Sequence, residues 1–337
     1  MRPTGLEHKN NIFKKSVGCM QHILYFCSEK ASMKQVRPKK NLGQHFLTDL
    51  TIAKRIADTV DEPYSDLPVL EVGPGMGVMT QFLVKKPRPL KVVEIDRESV
   101  AYLKGTLFRE YENASEENTS RTPASPHPHT PESPESPIIE GDFLRMDLHQ
   151  LFDGKQFVLT GNYPYDISSQ IFFKMLDNRD LIPCCTGMIQ HEVAVRMASK
   201  PGNKQYGILS VLIQAWYNVE YLFTVEPSVF NPPPKVQSAV IRMTRNDVQH
   251  LGCDEQLFKR VVKTVFNQRR KMLRVSLKQL FGRGYEAAEG QRSELFQHPF
   301  MTLRPEQLSI SQFVELTNLV EKELFASTNG VCADTNP

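Results

Sequence analysis

The chain has 337 residues, is 40% hydrophobic and 23% charged, and carries a formal net charge of +3, so it is long enough for one large or two smaller domains with a sizeable core. No apolar run approaches the length of a membrane span, and the apolar stretch from His22 to Cys27 is followed by no signal-peptide cleavage pattern. Cys19, Cys27, Cys184, Cys185, Cys253 and Cys332 form no C-x-x-C pair and no zinc site with histidines, and are expected to be reduced thiols in a cytoplasmic protein with no bound metal.

Residues 1–33 read as an N-terminal extension, polar and without a clear period. Met33 opens a basic run of Lys34, Arg37, Lys39 and Lys40, and is a candidate for the true start of translation. A mitochondrial presequence fits less well, because the segment holds few Arg and includes Glu7 and Glu29. A helix is expected from about Leu50 to Val60, then a short strand from Val69 to Val72, a helix from Val78 to Lys85, a strand from Lys91 to Glu94 and a helix from Arg97 to Tyr111. The stretch from Glu112 to Pro137 is rich in Pro, Ser, Thr and Glu and has no large apolar residue. It cannot bury enough surface to offset its ordering entropy, so a disordered surface insertion is expected there.

Beyond it, Ile138 to Glu140, Phe157 to Thr160 and Gly187 to Gln190 read as strands, and Ser168 to Leu176, His191 to Ala198 and Tyr206 to Tyr217 as helices. Glu220 to Val225 and Ser238 to Met243 look like a closing antiparallel pair. Strands alternating with helices imply an α/β fold with a mostly parallel, doubly wound sheet, Rossmann-like in kind. From about Asp254 the pattern is purely helical. The expected organisation is therefore a catalytic domain over 34–246, a small all-helical domain over 247–326, and a tail over 327–337.

The chemistry concentrates at strand ends. Leu70-Glu71-Val72-Gly73-Pro74-Gly75-Met76-Gly77 places three glycines after the first strand of the sheet, where they permit a tight turn and close approach of a ligand. The spacing is G-x-G-x-G, a mismatch for the G-x-G-x-x-G of dinucleotide binding. Glu94 ends the next strand, where a carboxylate can accept both ribose hydroxyls; Gly141-Asp142 ends the third, where Asp can accept from an adenine amino group. Gly161-Asn162-Tyr163-Pro164-Tyr165 ends the fourth. It offers a carboxamide acceptor, a proline carbonyl and an aromatic face, a set suited to holding a flat amino-bearing ring against a methyl donor, although Asn and Pro also mark ordinary turns. Together the four favour S-adenosylmethionine over a nicotinamide cofactor.

The chain resembles the ribosomal small-subunit RNA adenine dimethyltransferases of the KsgA type. The likeness is carried by Asn41-Leu42-Gly43-Gln44-His45-Phe46-Leu47, Glu71-Val72-Gly73-Pro74-Gly75, Gly161-Asn162-Tyr163-Pro164-Tyr165, Val229-Phe230-Asn231-Pro232-Pro233-Pro234-Lys235-Val236 and Phe266-Asn267-Gln268-Arg269-Arg270-Lys271. The resemblance implies that His45, Leu47, Gly73, Gly75, Glu94, Asp142 and Asn162 hold S-adenosylmethionine. It implies that Asn162, Pro164, Tyr165 and Phe230 form the reacting pocket, with Phe230 as a second aromatic wall opposite Tyr165. His45 also has a plainer reading, as a cap for the helix that follows. Members commonly have Leu at Tyr163 and Asn at Asp166. Tyr163 is expected to point into the core, and Asp166 to cap the helix starting near Ser168.

The implied reaction is displacement at the sulfonium methyl by the 6-amino nitrogen of adenine, leaving S-adenosylhomocysteine. Acceptors at Asn162 and Pro164 would bond the amine, and aromatic stacking would fix the ring. A base must leave its stack to reach such a pocket, so loop RNA of the small subunit, within 30S particles, is the expected partner of a monomeric enzyme. Between Lys259 and Arg283 there are nine Lys or Arg and no acid, above an apolar stripe of Leu273, Leu277 and Leu280. Arg269, Arg270, Lys271 and Arg274, with Lys39 and Lys40, are the expected phosphate contacts; a solvated basic face is the plainer reading. An oxidoreductase, a 23S-directed resistance methylase, a DNA adenine methylase and a non-catalytic assembly factor on the same fold are the competing readings.

Overall fold

The computed structural model describes residues 38–39, 44–108, 136–281 and 293–330. The expected N-terminal extension, Lys40 and nearly all of the 112–137 insertion lie outside the described residues.

The strands are β1 (Phe46–Leu47), β2 (Val69–Val72), β3 (Leu90–Glu94), β4 (Ile138–Glu140), β5 (Val158–Thr160), β6 (Cys184–Gln190), β7 (Tyr217–Val225), β8 (Phe230–Asn231) and β9 (Ser238–Arg245). The helices are α1 (Leu50–Asp58), α2 (Thr80–Leu83), α3 (Arg97–Gly105), α4 (Ser168–Asp177), α5 (His191–Ala198), α6 (Ile208–Gln214), α7 (Glu255–Asn267), α8 (Leu273–Ser276), α9 (Glu294–Gln297) and α10 (Ile310–Gly330). Seven strands form one sheet in the order β4-β3-β2-β5-β6-β9-β7. The first five run parallel, and β9 and β7 close the sheet antiparallel, as the sequence pattern implied. Helices cover both faces, which is why β2 and β5 are buried along their whole length and read as continuous apolar runs rather than alternating ones.

Parallel registers bring the carboxyl ends of four strands to one edge. Glu71 pairs with Val92 and with Thr160, and Glu94 pairs with Glu140. The glycine turn, Ile95-Asp96, Gly141-Asp142 and Asn162–Tyr165 therefore emerge side by side, in the crevice where open α/β sheets bind ligands. Two helix starts are fixed locally. Asp49 caps α1 by accepting from the Thr51 and Ile52 amides, and Asp96 caps α3 by accepting from the Glu98 amide. The cap of α1 is thus Asp49 and not His45.

The helical region beyond Asp254 packs on the sheet layer through one apolar cluster. Trp216 meets Phe258 edge to face at 6.0 Å, and Tyr206 meets Phe266 at 6.2 Å. Leu273, Leu277 and Leu280 are all buried, so the stripe expected beneath the basic residues faces this core. No helix among the described residues is long and apolar enough to cross a membrane.

Candidate active site

At the carboxyl edge of the sheet lies a cleft of about 260 Å³, lined by the glycine turn, the ends of β3 and β5, and the Gln44–Leu47 segment. His45, Leu47, Gly73, Gly75, Glu94, Asp142, Asn162, Pro164 and Tyr165 all line it, so nine residues expected from five separate segments meet at one place.

Gly73, Gly75 and Gly77 have φ of 70°, 56° and 74°. At Gly75 the requirement is double, because a Cβ there would also come within 3.0 Å of the Phe46 ring. The turn delivers the Gly75 amide to Glu94 Oε2 at 3.0 Å, while the Asp96 amide donates to Oε1 at 2.9 Å. Glu94 is thereby locked in place, and each oxygen keeps a lone pair for a diol. Burial pushes its carboxyl above the ordinary range, and the Asp96 and Gly75 amides pull it back. Asp142 caps a short 3-10 turn by accepting from the Leu144 amide at 2.9 Å, which orients its carboxylate at the cleft wall.

Asn162 is placed by the main chain. The Met188 amide donates to the Gly161 carbonyl at 2.9 Å, and the Tyr163 amide donates to the Met188 carbonyl at 3.0 Å. Backbone this close requires glycine: a Cβ on Gly187 would lie 2.3 Å from the Gly161 carbonyl oxygen. The Asn162 side chain is oriented in turn by a donation from Nδ2 to the His45 carbonyl at 3.2 Å. Only the amide nitrogen can donate to a carbonyl, so Oδ1 is left as the acceptor. The Pro164 carbonyl accepts from the Ile167 amide at 3.3 Å and keeps a second lone pair. Tyr165 is pinned at its hydroxyl by Ser238, 2.5 Å away. Tyr163 is buried with its hydroxyl donating to the Thr186 carbonyl at 3.0 Å, which bears out its core position.

Several expectations need correction. Phe230 does not line the cleft: it is buried in the apolar cluster with Leu47, whose β1 backbone pairs with it. The ring stacked on Tyr165 is that of His45, with centroids 5.6 Å apart. Asp166 does not cap α4, whose start carries no side-chain cap; it stands exposed at the cleft wall. Lys39 is held by Asp96 at 2.6 Å and Glu98 at 3.1 Å, contacts that raise its ammonium pKa, so it closes the α3 cap rather than standing ready for a phosphate. Arg269 is half-buried and engaged by the Asn203 carbonyl at 3.4 Å and Glu306 at 3.9 Å. Arg270, Lys271 and Arg274 are exposed and make no ion pair among the described residues.

Two cleft residues were not singled out in the sequence. Ile95 follows Glu94 and is 53% exposed, an apolar surface beside the carboxylate that suits a flat ring. A large apolar residue just past a strand end, between two acids, was the signal for it. Glu71 is almost fully buried, and its Oε2 has no hydrogen-bond partner among the described residues. Burial raises its carboxyl to about 8, with the Thr80 hydroxyl pulling the other way and the negative Glu94 adding to the rise. Among the described residues no cluster of His, Cys, Asp or Glu is arranged to hold a metal.

Residues 35–318 match the family model described as ribosomal RNA adenine dimethylase. The chain is 62% identical over 296 residues to ribosomal RNA small subunit methyltransferase A of Bacteroides thetaiotaomicron, covering 88% of this chain and 98% of that protein. It is 46% identical over 291 residues to the protein of the same name from Flavobacterium johnsoniae, covering 86% and 98%. Among solved structures, a dimethyladenosine transferase from Plasmodium falciparum superposes with a TM-score of 0.64 at 22% identity, covering 83% of this chain and 98% of that one. A likeness at that identity speaks for the fold alone. On the family match and the identity to these relatives, the chain belongs to the ribosomal RNA adenine dimethylase family.

Proposed function

We propose that this protein transfers methyl groups from S-adenosylmethionine to the 6-amino nitrogens of adjacent adenosines in a loop near the 3′ end of 16S rRNA, during assembly of the 30S particle. The observation that carries the chemistry is the orientation of Asn162: its Nδ2 is committed to the His45 carbonyl, so Oδ1 is presented as an acceptor beside the Pro164 carbonyl. Family membership supplies the ribosomal substrate.

The cleft fits the donor. Glu94 has lone pairs for the ribose, Asp142 and Ile95 flank the place of the adenine, and Glu71 offers an unused polar atom at the glycine turn. When bound, S-adenosylmethionine supplies an electrophilic methyl on a sulfonium. The protein's part is to prepare the nucleophile. The exocyclic nitrogen of adenine is weak because its lone pair is delocalised into the ring. Acceptors at Asn162 Oδ1 and the Pro164 carbonyl bond its two hydrogens, which favours a pyramidal nitrogen and stabilises the positive charge that develops on it. Tyr165, pinned through Ser238, holds the plane of the ring. No side chain of shifted pKa is needed as a base, since the proton is lost after transfer.

The exposed Arg270, Lys271 and Arg274 supply phosphate contacts that position the RNA without reading it. We propose a cytoplasmic monomer as the working form. The decisive experiment offers purified 30S particles from an unmethylated strain with labelled donor and maps the modified bases. Label on two adjacent adenosines of the small-subunit RNA is the expected result. Label on 50S precursors instead, or none, overturns it.

A further inference from the structure

One face of the Tyr165 ring is covered by a second ring. The His45 ring lies on the Tyr165 ring with centroids 5.6 Å apart and planes 27° from parallel. A base takes up roughly 3.4 Å in a stack, so a base between these two rings would need about 7 Å between them. The gap is too small, so an adenine stacking on this face of Tyr165 must take the place that the imidazole holds. The imidazole is also tethered. Its Nδ1 lies 2.8 Å from the Pro232 carbonyl, and since a carbonyl only accepts, Nδ1 carries the proton. Phe230 is buried beside Leu47 and offers no competing face.

We propose that the His45 side chain is a placeholder for the target base, and that RNA is admitted by exchanging imidazole for adenine on Tyr165. The proposal rests on the adenine-transfer reading above. The residue divides its work between side chain and main chain. Its carbonyl holds Asn162 Nδ2, and Phe46 and Leu47 beside it pair with β8. The ring can therefore rotate away about its own side-chain bonds while the backbone keeps the carboxamide oriented and the cleft enclosed. His45 also acts on specificity. An incoming base must stack on Tyr165 better than an imidazole does, which a purine achieves by its larger face and a pyrimidine does less well.

The test uses the full-length protein, unmethylated 30S particles as RNA substrate, and S-adenosylhomocysteine binding by calorimetry. His45→Ala removes the competitor and should lower KM for particles by roughly threefold to tenfold, the scale of one aromatic ring pair. His45→Trp provides a stronger competitor and should raise KM by a similar factor. The affinity of each variant for S-adenosylhomocysteine is measured alongside, so that an effect on the donor site is told apart from an effect on the target base. A raised KM for His45→Ala, equal KM values for all three proteins, or a shift of both variants in one direction overturns the proposal. So does loss of S-adenosylhomocysteine binding by His45→Ala, which would make the imidazole a donor ligand instead. Failure of the wild type to methylate particles would overturn the adenine-transfer reading itself and is told apart by that control.

Discussion

Glu71→Gln is the most quantitative perturbation the structure offers. Glu71 is about 1% exposed, sits on the β2 strand inside the sheet and has one carboxyl oxygen without a partner among the described residues. Its pKa rises from 4.5 to about 8, chiefly through burial. The folded state therefore holds a proton between these two values that the unfolded chain has released, so stability falls as pH rises through that window. At one pKa unit per 1.36 kcal/mol, the cost reaches roughly 3 kcal/mol at pH 7 and levels off near 5 kcal/mol above pH 8. Glutamine keeps the shape and cannot ionise. The variant should match wild type near pH 4.5 and exceed it by a margin that grows to a few kcal/mol by pH 8. Urea unfolding at half-unit pH steps, followed by circular dichroism, measures the difference. A difference that is constant from pH 5 to 8 would show that Glu71 carries no shifted proton and refute the reasoning.

Asn162→Ala should lower methyl transfer at least about a hundredfold, the scale of losing one preorganised polar contact, while S-adenosylhomocysteine binding stays measurable by calorimetry; an active variant refutes the amine-gripping role. Replacing Arg270, Lys271 and Arg274 by Ala should weaken particle binding and reduce the slope of log affinity against log salt by roughly 2 to 3, as expected for three lost phosphate contacts. A filter-binding series showing an unchanged slope would assign the patch to solvent. Gly187→Ala should cost roughly 3 kcal/mol of stability or more, because its Cβ would lie 2.3 Å from the Gly161 carbonyl, and should disturb the Asn162 loop as well. An unaltered urea midpoint would rule out that clash.

The parallel part of the sheet was legible because its strands are short apolar runs ending in Gly, Glu or Asp, and β2 and β4 fall where the pattern puts them. The cleft residues on β2, β3, β4 and β5 followed, since a parallel sheet brings all carboxyl ends to one edge. What escaped was non-local. The pairing of β1 with β8 joins Phe46 to Asn231 and Leu47 to Phe230 across some 180 residues. Two residues on each side leave no periodic trace, and this pairing is what buries Phe230 and brings His45 onto Tyr165. Lys39 and Arg269 were read as phosphate ligands because charge alone is visible in a sequence; the acids that engage them lie on other elements. Asp166 had the residue type and spacing of a cap, but the first turn of α4 forms without it.

The loop that bears Asn162 is registered against β6 by amide and carbonyl groups of Gly161, Tyr163 and Met188. Peptide groups are common to every residue, so this alignment does not depend on which side chains fill the interior around it. The hydrophobic filling of the domain can drift through many combinations while the reactive carboxamide stays where it is. Within this register, sites 161 and 187 are denied that freedom, because a Cβ at either would come within 2.6 Å of a backbone carbonyl oxygen.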